Sequence, residues 1–134
     1  MTTRLASTRV ALAAGAAGAL ILSATGVASA HASLTSANIT PGQVFPHNTY
    51  PRTLTGFFAE NVKPSSSFLH VFEGDPKGDH GMVDTGVNSF PFKNPKEIVA
   101  TLPKNLKGVY TVMWFTTSAD DGHKAGNLFS FTVK

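Results

Sequence analysis

The sequence predicts an all-β domain, a sandwich or barrel, that follows a secretory leader. Residues 31–134 show no long helical period and no internal repeat. Short apolar or alternating runs recur about every dozen positions, with proline and glycine between them, which is the pattern of a β-sandwich or β-barrel. Residues 1–30 differ in composition from everything that follows them.

The first thirty residues have the three-part order of a signal peptide. Residues 1–9 carry two arginines and no acid, and residues 10–22 are apolar or small throughout. Residues 28–30, Ala-Ser-Ala, form a small-x-small cleavage signal. A membrane anchor is the weaker alternative, because the apolar run is well short of the roughly 20 residues that span a bilayer. We therefore predict a signal peptide over 1–30, a domain over 31–134, and export to the periplasm, the cell envelope or the medium.

Charge and cysteine content exclude several classes of protein. The chain has 11 Lys+Arg and 8 Asp+Glu, a net charge of +3. Two of the arginines belong to the leader, so the mature part is close to neutral and has no basic stripe for nucleic acid or an anionic membrane. With no cysteine, it has no disulfide, thiolate metal site or cysteine nucleophile. We expect a monomer without a membrane span in the mature chain.

Turn residues divide the mature chain into seven predicted strands. In chain order these are Ser33–Ile39, Thr53–Ala59, Ser67–Glu73, Met82–Val87, Glu97–Leu102, Val109–Thr116 and Asn127–Val133.

Alternation within the last two strands assigns their faces, because successive side chains point to opposite sides. Phe129, Phe131 and Val133 share one face. Tyr110, Val112 and Trp114 share a face of the preceding strand. We interpret both sets as core. Phe90 and Phe92, in a proline-rich connection, are predicted to cap one end of the sandwich.

His31 is the first candidate metal ligand among the five histidines of the chain. Cleavage after Ala30 would give His31 a free α-amine beside its imidazole, and the two nitrogens can close a six-membered chelate ring. The α-amine has a pKa near 7.7–8.0, so a metal ion can displace its proton at neutral pH. Nitrogen-rich, roughly planar sites suit Cu(II). The alternative is that His31 is only the residue that follows the cut.

The turn that contains Asp121, Gly122 and His123 is the second candidate. Asp121 and His123 are two positions apart, so in extended chain their side chains point the same way. A carboxylate oxygen and an imidazole nitrogen would complete a four-ligand set with His31. The alternative is an ordinary Asp-Gly hairpin turn. Spacing favours Asp121 over the adjacent Asp120, which we interpret as solvated or orienting.

Several motifs together resemble one known family. They are His31-Ala32-x-Leu34 after the cut, Phe58-Ala59-Glu60-Asn61-Val62, Leu106-x-Gly108-x-Tyr110-x-Val112-x-Trp114, Ser118 with Asp121-Gly122-His123, and Gly126 before a terminal Phe-x-Phe-x-Val strand. In this order, over essentially all of residues 31–134, they resemble the CopC copper-resistance family. The resemblance implies a seven-stranded, immunoglobulin-like Greek-key β-barrel that binds Cu(II) outside the cytoplasm. The implied ligands are the His31 amine and imidazole, the Asp121 carboxylate and the His123 imidazole. Glu60 matches a family glutamate near the copper and is a candidate weak axial ligand or neighbour of the site.

Two departures from the family pattern stand out. Some members carry a Cu(I) site in a methionine-rich loop, because thioethers suit Cu(I). The corresponding stretch here has one methionine, Met82, with His70 and His80. We expect solvated loop residues rather than a second site. Gly56 stands where the family usually places a large apolar residue, so the family pattern does not predict the packing around Gly56.

The leading functional hypothesis is a non-enzymatic Cu(II) carrier, buffer or donor in copper homeostasis, with a membrane copper transporter as a candidate partner. A site whose positions are filled by protein ligands retains its metal, whereas a catalytic site keeps one position open. One alternative is an oxidative copper enzyme with a histidine brace, against which the short chain and the Asp121 ligand argue. Another is a metal-free interaction domain. No nucleotide fingerprint or phosphate-binding loop is present in the sequence.

Overall fold

Eight strands in two sheets make up the part of the chain that this computed structural model describes, residues 31–89 and 94–134. The strands are β1 (Leu34–Ala37), β2 (Val44–Phe45), β3 (Thr53–Phe58), β4 (Phe68–Glu73), β5 (Val83–Ser89), β6 (Glu97–Thr101), β7 (Gly108–Thr117) and β8 (Lys124–Val133). A short 3-10 helix, Pro64–Ser66, precedes β4. One sheet has the order β1-β3-β6 and the other β2-β8-β7-β4-β5.

The β7–β8 hairpin organises the larger sheet. Its two strands pair antiparallel over their whole length, from Gly108 opposite Val133 to Thr117 opposite Lys124. β4 pairs with the other edge of β7, also antiparallel. β2 is the exception in this sheet, since it runs parallel to the end of β8. The hairpin therefore places its turn, residues 118–123, at one end of the sandwich.

The core lies between the two sheets and contains the aromatic residues that alternation had assigned to it. Tyr110, Val112 and Trp114 are buried, as are Phe129, Phe131 and Val133. The Trp114 ring meets Phe58 of the smaller sheet edge-to-face, with centroids 5.7 Å apart. These contacts hold the two sheets face to face, and they confirm the predicted orientation of both strands.

The predicted all-β sandwich is confirmed, and each of the seven predicted strands overlaps an observed one. The two-residue strand β2 was not predicted, and β8 begins three residues before the predicted Asn127. The predictions for residues 1–30 and for Phe90 and Phe92 lie outside the described residues. Among residues 31–89 and 94–134, none of the helices has the length and hydropathy of a membrane span.

Gly56 has a packing reason that its sequence context did not reveal. It lies buried in β3, and a Cβ atom there would come within 3.1 Å of the Leu34 side chain and 3.4 Å of the Phe58 ring. Leu34 of β1 and Phe58 of β3 thus fill the volume that a larger residue at position 56 would occupy. The absence of a side chain at Gly56, which pairs with Ala37 of β1, leaves room for the Leu34 side chain against β3.

Candidate metal centre

The turn between β7 and β8 is closed by its own backbone. The Ser118 N–H donates to the His123 carbonyl at 2.8 Å, and the Gly122 N–H donates to the Ser118 carbonyl at 3.0 Å. Gly122 has φ +77°, a left-handed conformation that glycine adopts without a Cβ clash. This turn holds Asp121 and His123 next to each other at the end of the sandwich.

Asp121 contacts His123 through both of its carboxylate oxygens. Oδ2 lies 2.7 Å from Nδ1 of the His123 ring, and Oδ1 accepts the His123 backbone N–H at 3.0 Å. These hydrogen bonds from His123 lower the pKa of Asp121 to about 2. The hydrogen bond that the His123 ring makes to the Asp121 carboxylate, helped by the charge of that carboxylate, raises the pKa of His123. Asp120 is exposed, and its backbone N–H donates to Ser118 Oγ at 3.2 Å, so Asp121 is the acid that meets the imidazole.

His31 lies against His123 although the two residues are far apart in the sequence. Their ring centroids are 5.0 Å apart with an interplanar angle of 62°. The segment that carries His31 is fixed, because the carbonyls of three successive residues each accept a hydrogen bond. The His31 carbonyl accepts the Ser33 N–H, the Ala32 carbonyl accepts the Thr116 hydroxyl, and the Ser33 carbonyl accepts the Ala59 N–H. Ala32 is fully buried, so residue 31 lies at the point where the chain emerges from the core.

Glu60 lies beneath the turn and is bound to Ser118. The buried Ser118 hydroxyl donates to Glu60 Oε2 at 2.6 Å. The same Ser118 oxygen accepts the backbone N–H groups of Asp120 and Asp121 at 3.2 and 3.4 Å. The charge of Glu60 makes the smallest of the contributions that raise the pKa of His123. Glu60 therefore adds negative charge near His123, and its carboxylate is held by the Ser118 hydroxyl.

In the structure the predicted ligand residues contact one another in pairs, and they do not surround one shared position for a metal ion. His31 meets His123, and His123 meets Asp121, but across residues 31–89 and 94–134 no three His, Asp or Glu side chains are arranged to hold a metal ion. One predicted donor, the α-amine of residue 31, does not exist while His31 is joined to Ala30 by a peptide bond. The donors that cleavage would leave are an amine, two imidazoles and a carboxylate, a set that suits Cu(II).

The stretch from His70 to Met82 does not bring its three candidate Cu(I) ligands together. His70 is not the solvated loop residue that was predicted, since it lies on β4 between the rings of Phe68 and Phe72 with its Nδ1 buried. His80 and Met82 are exposed. Met82 precedes Val83, which pairs with Glu73, three residues along β4 from His70. That separation is roughly 10 Å along the strand.

The sequence predicted no role for two buried hydroxyls of the site, those of Thr116 and Ser118, although Ser118 belongs to the turn motif. Both are fully buried, and both follow the alternation that places Val112 and Trp114 in the core. Polar residues at core positions need hydrogen-bond partners. The inward-facing position of these two hydroxyls in the alternation that runs along β7 to Ser118 was the signal in the sequence that could have identified them.

The fold and this centre define a small β-sandwich in which His31, just before β1, meets the turn of the β7–β8 hairpin. The CopC domain model matches residues 34–134, and the chain belongs to the CopC domain family.

Solved structures share the fold. CopC from Methylosinus trichosporium OB3b is 22% identical over 78% of this chain and 94% of its own, with a TM-score of 0.62. PcoC from Escherichia coli, described as a methionine-rich copper resistance protein, is 24% identical over 78% of this chain and 100% of its own, with a TM-score of 0.63. No curated protein matches the sequence of this chain.

Proposed function

We propose that this chain is an exported, non-enzymatic Cu(II)-binding protein that carries, buffers or donates copper in copper resistance. The observation that carries the proposal is the continuous contact from His31 through His123 to Asp121 at one end of the sandwich. Membership of the CopC domain family and the likeness to a copper resistance protein from Escherichia coli support the choice of metal. Removal of a leader after Ala30 would add the α-amine of His31 to the same end.

The spacing of donor atoms supports a planar metal site. Nitrogen and oxygen ligands bind divalent first-row ions at about 2.0–2.2 Å, so two neighbouring ligands at a right angle lie roughly 2.8–3.1 Å apart. His123 Nδ1 and Asp121 Oδ2 are 2.7 Å apart, close to one edge of such a square. Copper can therefore take the place of the proton that these two atoms share. The His31 imidazole and amine would supply the opposite edge.

Proton competition follows from this arrangement. The hydrogen bond that raises the pKa of His123 is the one that copper must replace. Metal ligands must be deprotonated to bind, so acidification should release the ion. The His123 side chain is 62% exposed, which leaves the centre open to a partner that delivers or removes copper. A membrane copper transporter is the partner we propose for that exchange, in the periplasm or at the cell envelope.

The absence of enzymatic activity is part of the proposal. Amine, two imidazoles and carboxylate fill the four positions of a planar Cu(II) site, and a filled site retains metal rather than activating oxygen. Reduction of oxygen by ascorbate in the presence of the copper-loaded protein, with oxidation of a polysaccharide, would contradict this part.

The decisive experiment compares mature protein that begins at His31 with the same protein carrying one additional alanine before His31. We expect the first to bind one equivalent of Cu(II) with a nitrogen-rich electron paramagnetic resonance spectrum. The second should bind far more weakly, because the amine moves away from the imidazole and the chelate ring is lost.

Histidine variants of the mature protein supply the matched control. His123→Ala should weaken Cu(II) binding, whereas His80→Ala, at an exposed position outside the centre, should not. Equal affinity of the extended and unextended proteins would refute the N-terminal site. Equal effects of the two histidine variants would refute the assignment of His123.

A further inference from the structure

A single buried hydrogen bond connects the N-terminal segment of the domain to strand β7. The Thr116 hydroxyl donates to the Ala32 carbonyl at 2.6 Å, across 84 residues of sequence. Thr116 and Ala32 are both fully buried. The bond therefore ties the residue next to His31 to the strand that leads directly into the turn with Asp121 and His123.

The position of Thr116 makes it a link between the two halves of the centre. It lies two residues before Ser118 on the same inward face of the chain, and Ser118 holds Glu60 and the backbone of the turn. Thr116 holds the N-terminal half and Ser118 holds the turn. The two hydroxyls thus act on the two segments that bring the His31 and His123 rings together.

The Thr116 hydroxyl cannot be replaced by a side chain of the same shape that has no hydrogen-bond donor. Valine has nearly the same shape as threonine, but it would leave the Ala32 carbonyl without its donor in a place that water does not reach. The segment would then retain the bonds made by the carbonyls of His31 and Ser33 and lose the one between them. Residue 31 would sample more positions, and fewer of them would place its nitrogens beside His123.

We infer that Thr116 is a positioning residue for copper capture: its hydroxyl holds the segment 31–33 so that the His31 nitrogens are preorganised toward His123. This inference rests on the proposed function, and it assigns Thr116 no contact with the metal. The inference makes Thr116, a residue buried in the core, a determinant of Cu(II) affinity.

The test uses mature protein beginning at His31, with Thr116→Val and a matched control, Thr111→Val. Thr111 is also fully buried on β7, and its hydroxyl donates to the Gly74 carbonyl at 2.7 Å near the opposite end of the strand. Thr116→Val should weaken Cu(II) binding about three- to tenfold, the range expected for one hydrogen bond. Thr111→Val should lower the urea midpoint and leave Cu(II) affinity unchanged. Thr116→Ser, which keeps the hydroxyl, should bind within about twofold of wild type.

A metal-free measurement separates this inference from the proposed function. In the apoprotein, amide hydrogen exchange at Ser33, whose N–H donates to His31, should quicken in Thr116→Val and not in Thr111→Val. If Thr116→Val does not fold, the comparison of Thr116→Ser with Thr116→Ala isolates the same hydroxyl. If a Thr116 variant without the hydroxyl has the same Cu(II) affinity and the same Ser33 amide exchange rate as the wild type, the inference is overturned. The proposed function would still stand. Loss of Cu(II) binding by the wild type itself would refute the proposed function, and the exchange data would still decide the role of Thr116.

Discussion

Substitution of Ser118 by alanine should destabilise the domain, because it removes a buried hydroxyl that is bonded to Glu60. The Ser118 oxygen is buried and donates to the Glu60 carboxylate at 2.6 Å while accepting two backbone N–H groups of the turn. A hydrogen bond to a charged group contributes about 1.5–3 kcal/mol, and the two longer bonds add little. We expect Ser118→Ala to lower the free energy of unfolding by about 2 kcal/mol.

Urea unfolding of metal-free protein that begins at His31 measures this loss. With m values of about 1–3 kcal/mol/M in urea, the midpoint should fall by about 1 M at unchanged m. The melting temperature should fall by about 8 °C. Ser65→Ala is the control, because Ser65 is exposed in the 3-10 helix, and its effect should stay within about 0.5 kcal/mol.

A double-mutant cycle with Glu60→Gln identifies the partner that carries the effect. If the charged hydrogen bond dominates, Ser118→Ala should cost clearly less in the Glu60→Gln protein than in wild type. The reasoning is refuted if Ser118→Ala costs no more than Ser65→Ala, or if Glu60→Gln leaves its cost unchanged.

Three further predictions concern the Asp121–His123 pair and the core. Asp121→Asn should lower the pKa of His123, because the hydrogen bond and charge of Asp121 raise it; histidine ring chemical shifts followed against pH check this, and an unchanged titration would contradict it. The pKa of Asp121 is held at about 2 against an ordinary 3.8, so its stabilising contribution is present above the ordinary value and is lost as the pH falls toward 2. The contribution of His123 is complete below its ordinary 6.5 and is lost as the pH rises through its raised pKa. Urea melts at a series of pH values should therefore show the largest difference between wild type and Asp121→Asn between roughly pH 4 and 6.5. Phe131→Ala should cost about 3–5 kcal/mol of unfolding free energy, since the ring is 1% exposed. Leu128→Ala, at a site 40% exposed on the other face, should cost less than about 1 kcal/mol, and comparable losses for the two would contradict the assignment of faces.

Strand prediction succeeded where alternation was long enough to be read. Phe129, Phe131 and Val133 have period two, and the structure buries all three. Strand β2 has two residues, Val44 and Phe45, which are too few to show a period. The first three residues of β8, Lys124 to Gly126, have no apolar alternation of their own. They become strand because they are paired with β7.

The site was only partly predictable for a similar reason. Spacing distinguished Asp121 from Asp120, because the relation between Asp121 and His123 is local to one turn. The bonds from Thr116 to Ala32 and from Ser118 to Glu60 join residues 84 and 58 positions apart. Such pairs depend on how the two sheets stack, and no local pattern encodes that stacking.

The 92 positions that separate His31 from His123, the two ligands proposed above, also bear on when a metal ion can be captured. In an unfolded chain, closing a loop of that length to bring the two histidines together costs about 4 kcal/mol in chain entropy. The folded sandwich has closed that loop through its strand pairing before any ion arrives, so the same ligands should bind nearly three orders of magnitude more tightly there. A ligand that prefers the native chain stabilises it. Under the proposed function, copper would thus bind the folded domain in preference to unfolded or partly folded chains. The long separation of His31 and His123 in the sequence would make copper binding depend on folding.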